Sequence, residues 1–292
     1  MRYLKPTSIH EAADALESSR GTILAGGTDL CVYMAEGVCQ PETLIDISGI
    51  DSMRGIETIQ SGREEATVRI GAGTTVAEVA ASEALPDCLR QGAQAVGSPQ
   101  IRNLGTIGGN VCNASPCGDT LTPLLALDAR FVLRSTAGTR TVESEEFFTG
   151  PKQTVLDPHE ILEFIELPSA SCARASAFRM IGNRKGQAIS QVNAAVSVAI
   201  VDGVMSDVRV AVGSVAPVPL RLAGLEELLS GKTVEDLHPA NLRDAVLEGV
   251  RPIDDVRSTA TYRQEVTVAL VFDALAACGG QRSGQDEGAG AW

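Results

Sequence analysis

The segment LAGGTDL, residues 24–30, packs two glycines, a threonine and an aspartate into one turn. Glycines let backbone N–H groups close on an anion, and a threonine hydroxyl adds a donor, so these residue types suit a phosphate. They also suit a plain strand-to-helix turn. A second glycine pair stands in TIGGN, residues 106–110. Neither cluster has the spacing G-x-G-x-x-G or G-x-x-x-x-G-K-[ST], which removes the Rossmann and P-loop patterns. Two separate loops, each offering backbone N–H groups, can clamp one diphosphate from both sides. Neutral donors fit a chain in which 24 Lys and Arg face 37 Asp and Glu, for a net charge of −13. The same balance argues against nucleic acid as a partner.

Ser115 and Asp119 follow the second pair in NASPCGD. A carboxylate is a poor phosphate ligand but a good acceptor for ribose or ribityl hydroxyls; Asp119 also fits as the cap of the next helix. In FRMIGNRKG, residues 178–186, Arg179, Arg184 and Lys185 make a positive spot. It reads either as a solvated hairpin tip or as charge beside a cofactor ring that becomes anionic on reduction. The histidines, His10, His159 and His238, are scattered, and no nucleophile–base pair, zinc set or carboxylate pair is visible. Chemistry is therefore assigned to a bound cofactor rather than to side chains. The seven cysteines are odd in number and form no C-x-x-C, and the nearest pair, Cys112 and Cys117, has no histidine close by. Reduced, mostly buried thiols are expected. No apolar signal core opens the chain, and no apolar run nears the roughly 18 residues of a membrane span, so a cytoplasmic setting is expected.

The elements that must hold these residues alternate along the first half. PTSIHEAADALESS predicts a helix with Ser8 and Glu11 as a capping box, and GTILAGG a short strand into the glycine turn. ETLIDIS and ATVRIGAGTT predict further strands, the second leading into a helix from Thr75. Residues 95–135 begin as a long polar loop and end in a helix and a strand. RTVESEEFF and HEILEFIELP read as strands, and PSASCARA, 168–175, as a linker. Beyond it ASAFRMIG, ISQVNAAVSVAIV and VMSDVRVAVGSV predict a three-stranded antiparallel meander, followed by three helices and a flexible tail, 279–292.

LAGGTDL, PQIRNLGTIGGNVCNASPCGDTLTPLLALDA, FRMIGNRKGQAISQVNAAVSV, VGSVAPVPLR and STATYRQEVTVAL occur in the order found in FAD-binding medium subunits of molybdenum hydroxylases. On that basis residues 1–278 resemble this family, which includes flavin subunits of xanthine and carbon monoxide dehydrogenases. The resemblance implies an α+β fold: a two-part FAD-binding domain of the vanillyl-alcohol oxidase type at 1–170 (parts 1–55 and 56–170). A smaller domain with a three-stranded antiparallel sheet and helices follows at 175–278. It implies FAD as cofactor, with Leu24, Ala25, Gly26, Gly27, Thr28, Asp29 and Leu30 as the first pyrophosphate loop. Thr106, Ile107, Gly108, Gly109 and Asn110 match the second, and Ser115 and Asp119 the polar contacts beyond it. Leu162 and Val96 match apolar residues near the ring systems, and Arg179 and Lys185 compete for the place of a cation near the isoalloxazine. The implied partners are a small two-iron two-sulfur subunit and a large molybdenum-cofactor subunit, with a dimer of heterotrimers suggested and NAD or a quinone as acceptor. A stand-alone flavin reductase of related fold and an FAD-free interaction subunit are the alternatives.

Overall fold

Ser8 opens the first helix, Ile9–Ser19, by accepting the Glu11 N–H at 3.2 Å. The Glu11 carboxylate turns to the Thr7 N–H and hydroxyl rather than back to Ser8, so only half of the expected capping box forms. The complete box is at Thr75 and Glu78, where the helix Val76–Ala81 begins. The computed structural model describes residues 1–60, 66–184, 186–235 and 237–280.

Among the described residues three larger sheets organise the chain, beside a two-stranded ribbon of Phe148–Gly150 and Gln153–Thr154. In the first, Thr43–Asp46 lies between Arg2–Leu4 and Thr22–Leu24, parallel to both. The second is antiparallel, with strand order Ile56–Ile59, Thr67–Gly71, Ile161–Pro168, Arg130–Ser135, Gly138–Glu143. Both rest on one core that includes Ile45, Ile70, Leu89, Ile107, Phe131 and Phe147. The third sheet is also antiparallel and builds a second core with the helices Ala223–Leu229, Pro239–Gly249 and Ala260–Cys278. No helix among the described residues is long and apolar enough to cross a membrane.

Four expectations need correction. The third sheet has four strands, not three: after Ala175–Gly182, Ser190–Val201 and Val204–Gly213 comes Leu220–Arg221, paired with Ala211 and Val212. Two residues are too few for alternation to show. The expected linker at 168–175 holds a short helix, Ser169–Ala173, and the Arg174 side chain after it is only 5% exposed. The long polar loop contains two short helices, Pro99–Leu104 and Ile107–Asn113, each capped by a hydroxyl, of Ser98 and Thr106 respectively. Helices under two turns carry almost no apolar period, so capping chemistry is their only signal. Of the seven cysteines only Cys88 is buried, and Cys31 and Cys112 are exposed. Most of the expected tail, residues 281–292, lies outside the described residues.

The two cores meet across a polar seam. Asp128, held at φ 52°, receives Arg174 at 2.7 Å, Arg209 at 3.0 Å and Arg221 at 3.1 Å. Asp207 takes the outer side of Arg174 and Arg209. On a second line of contact the buried Asn193 accepts from Thr122 at 3.1 Å and donates to Asp119 at 3.0 Å, and Ser190 donates to the same Asp119 oxygen. These bonds fix the helix Leu121–Ala126 against the strand Ser190–Val201.

Candidate cofactor site

A cleft of about 880 Å³ runs between the two halves. That volume is within the roughly 300–1,000 Å³ of small-molecule sites. Its first wall begins where the strand Thr22–Leu24 gives way to the helix Leu30–Ala35. Gly27 makes the turn in the left-handed region, at φ 71°, which glycine enters without steric cost. Ala25, Gly26, Gly27, Thr28, Asp29 and Leu30 all line the cleft. The backbone N–H groups of Gly26 through Leu30 meet no acceptor among the described residues. Five donors in succession at a helix start form an anion-binding concavity.

The second loop is built differently. The Ile107 N–H donates to Thr74 O at 2.9 Å, Gly108 to Ala72 O at 2.9 Å, Gly109 to Thr106 Oγ1 at 3.0 Å and Asn110 to Thr106 O at 3.0 Å. Of the five amides expected to close from this side, only the Thr106 N–H meets no acceptor among the described residues. What this loop turns to the cleft is side-chain chemistry and bare backbone. Asn110 Oδ1 accepts from Thr120 at 2.6 Å, leaving its amide nitrogen to donate. Gly108 is needed for packing, since a Cβ there would stand 2.6 Å from Ala72 Cβ. Gly109 is open, with only Thr106 Oγ1 at 3.0 Å.

The two loops touch through glycine. A Cβ on Gly26 would run into the carbonyl of Leu104, and one on Gly105 would lie 3.2 Å from Thr28 Oγ1. Backbone therefore rests on backbone at the point where the two segments cross.

Of the sequence-derived site residues, Val96, Thr106, Gly108, Gly109, Asn110, Ser115, Asp119 and Leu162 also line the cleft. A bulge between Leu162 and Phe164 lets the neighbours Ile161 and Leu162 both reach it. Three expected residues stand apart from the lining, and a fourth falls outside what the structure describes. The Leu24 carbonyl accepts from Ile47, and its side chain lies beside Gly27. Ile107 is fully buried in the first core. Arg179 pairs with Ala194 and shares a strand face with Ala177 of the second core, so it points away from the cleft. Lys185 lies outside the described residues.

Asp119 is not the cap of the following helix. That place is held by Thr120, which makes no side-chain cap bond. Burial pushes the Asp119 carboxyl up to about 6, against the bonds from Ser190 and Asn193 that favour the anion. Oδ1 takes both of those bonds.

Sequence reasoning missed several residues of the cleft. Lys152 donates to the Tyr33 hydroxyl at 2.7 Å and lies 4.5 Å over its ring, and that hydroxyl lies 3.2 Å from Asn113 Oδ1. Arg257 reaches the cleft from the loop before the last helix. Neither had a local signal, because each is a single cation in an ordinary turn. Ser190 and Asn193 did have one: polar residues inside an otherwise apolar strand must find buried partners.

Residues 1–170 match the family model described as the FAD binding domain in molybdopterin dehydrogenase, and residues 176–278 match the CO dehydrogenase flavoprotein C-terminal domain. The chain belongs to this family of FAD-binding proteins. It is similar to the carbon monoxide dehydrogenase medium chain of Hydrogenophaga pseudoflava, 32% identical over 94% of this chain and 95% of that one. It is likewise similar to the putative xanthine dehydrogenase FAD-binding subunit of Escherichia coli K12, 29% identical over 96% and 97%. Its fold matches a solved carbon monoxide dehydrogenase from Hydrogenophaga pseudoflava with a TM-score of 0.88, at 32% identity and covering 97% of this chain and 98% of that one.

Proposed function

We propose that the chain is the FAD-binding medium subunit of a multi-subunit molybdenum hydroxylase, relaying electrons from iron–sulfur clusters through FAD to an external acceptor. The five unpaired amides of Gly26–Leu30, facing a cleft between two cored halves, carry this reading. They fit the diphosphate of FAD, and full-length similarity to medium chains supplies the context. Bound FAD supplies the redox chemistry. The chain's own residues hold its phosphates at the first loop, seat its rings against Val96 and Leu162, and offer Asn110, Ser115 and Asp119 to its hydroxyls. In this reading 1–170 is the flavin domain of vanillyl-alcohol oxidase type, divided near residue 55, and 175–278 the second domain. The partners are a small two-iron two-sulfur subunit and a large molybdenum-cofactor subunit in the cytoplasm; NAD and quinones are the acceptor classes to test. The free state of all seven cysteines is in keeping with a reducing compartment.

Co-expression with neighbouring subunits and a visible spectrum of the purified complex test the proposal. A flavin band and co-purifying iron–sulfur and molybdenum subunits are the expected result. A chain that takes up no FAD would be an interaction subunit, and one that alone oxidises substrate at full rate would be a stand-alone reductase.

Asp119 gives a pH test. A ligand hydroxyl donating to its carboxylate favours the anion, so its pKa falls on binding. Affinity for FAD is then complete above about 6, the free-chain value, and is lost as pH drops through it, by up to about tenfold per unit. Fluorescence titration of FAD between pH 5 and 8 should show this slope in the parent chain and a flat profile in Asp119→Asn. The same slope in both would take Asp119 out of the site.

A further inference from the structure

We propose that Lys152 supplies the charge that both glycine loops lack: its ammonium turns from the Tyr33 hydroxyl to pair with the diphosphate of FAD. The inference rests on the FAD reading above and adds to the site a residue that neither loop contains.

The donors of the two loops are neutral. The first brings the amides of Gly26 through Leu30. The second keeps little to add, because its other backbone donors are spent on Thr74, Ala72 and Thr106. What remains there is the Thr106 N–H and the Asn110 amide nitrogen. The diphosphate of FAD is a dianion, Asp29 lines the same cleft, and the chain carries a net charge of −13. Neutral donors leave that repulsion standing; a cation beside the anion removes it. Among the described residues two cations line the cleft. Arg257 gives Nη1 to the Asp255 carboxylate at 3.2 Å. Lys152 makes no ion pair among the described residues. Its ammonium donates only to the neutral Tyr33 hydroxyl, at 2.7 Å, and the rest of its three donors are unused.

Tyr33 fixes where that ammonium stands. It lies in the first turn of the helix Leu30–Ala35, with its N–H donating to Asp29 O at 3.0 Å. Helical side chains lean toward the N-terminus, so the Tyr33 ring covers the turn that the first glycine loop opens. Lys152 lies 4.5 Å over that ring. The Tyr33 hydroxyl is 3.2 Å from Asn113 Oδ1, at the end of the helix that the second loop begins. The Lys152 N–H donates to Ala114 O, just past the same helix, at 2.9 Å. Lys152 is thus tied by its backbone to the second loop's helix and by its side chain to the first loop's helix.

The backbone gives an independent sign. Pro151 and Lys152 make the two-residue turn between Phe148–Gly150 and Gln153–Thr154. Lys152 stands there at φ 58°, in the left-handed region. After a proline that turn position is one that glycine fills without steric cost. A lysine kept in a strained conformation, with its charge unpaired, points to use of its side chain. The flexible four-carbon stem lets the ammonium move from the hydroxyl to an anion on the same helix turn. The exchange replaces a neutral acceptor by a charged one, and the charged bond is the stronger.

The test uses the assembled complex with Lys152→Met, Lys152→Arg, Lys152→Gly and Lys232→Met. Binding of FAD and of ADP to the flavin-stripped complex is read by calorimetry at low and raised salt, and the FAD midpoint potential by spectroelectrochemical titration. Lys152→Met should weaken FAD and ADP alike, about tenfold, and its ADP affinity should depend less on salt. The potential should not move, because the diphosphate keeps its charge when the flavin is reduced. Lys152→Arg should keep most of the affinity. Lys232→Met removes the same charge from a residue that does not line the cleft and should change nothing. Lys152→Gly should bind as weakly as Lys152→Met with a urea midpoint no lower than the parent's. Unchanged ADP affinity in Lys152→Met overturns the proposal. So does a shifted potential, which would put the ammonium beside the ring. So does a midpoint that falls together with affinity in Lys152→Gly, which would make Lys152 a brace between the loops. A parent complex without flavin would instead refute the FAD reading on which the proposal stands.

Discussion

Replacing Gly26 by alanine should leave a folded chain that no longer retains FAD. The new Cβ collides with the Leu104 carbonyl and stands 2.8 Å from Gly105 Cα, both backbone atoms that no rotamer change can move aside. The two cofactor loops must part at their crossing, and the five amides of Gly26–Leu30 leave their common direction. Core elements elsewhere are untouched, so the cost in stability is that of local overpacking, about 1–3 kcal/mol. FAD affinity should fall about 100-fold, close to 2.7 kcal/mol. Flavin content per chain and fluorescence titration measure it, with Gly224→Ala as control, since nothing lies within 4 Å of the Cβ added there. Full flavin content in Gly26→Ala would show that the loops do not need this contact.

Asp128→Asn should be the most damaging single change at the seam. It leaves Arg174, 5% exposed, with a neutral partner and takes the shared carboxylate from Arg209 and Arg221 as well. Breaking a buried pair from one side typically costs about 3–5 kcal/mol. Asp128 is 27% exposed and Asp207 still serves two of the arginines, so about 2–3 kcal/mol is expected here. Asparagine tolerates the left-handed backbone at this position, so the loss reports charge and not strain. A urea midpoint that falls with little change in slope would register it. Burial pushes the Asp128 carboxyl up, but bonds and charge from Arg174 and Arg209 outweigh this and hold it below the ordinary 3.8. Its contribution is therefore complete above 3.8 and lost as the pH falls through the depressed value, where parent and variant stabilities should converge. A difference that persisted into that range would point to a cause other than the carboxylate.

The first glycine loop was legible because its residue types have few uses: Gly27 must turn left-handed and Gly26 must let another backbone pass. The long strands Ser190–Val201 and Val204–Gly213 were legible from apolar alternation and the Asp202–Gly203 turn. The second loop was legible as a glycine pair, but the partners of its Ile107 and Gly108 amides, Thr74 and Ala72, were not, because they lie on a distant turn. The face taken by Arg179 followed from its alternation with Phe178. Which face held the cleft did not, since that depends on how two cores dock. Arg257 was hidden for the same reason: a turn before a helix becomes a cleft wall only when the strand bearing Gln191 is placed beneath it.

The cleft takes its walls from both halves, and Asp119 joins one half to the other through Ser190 and Asn193. A molecule bound there spans the seam and adds its binding free energy to it. Because the bound molecule touches both walls, parting of the halves strips away half of its contacts, so its residence time shortens as that opening becomes faster. A loosened Asp128 junction would in this way shorten flavin retention without touching any residue that contacts it.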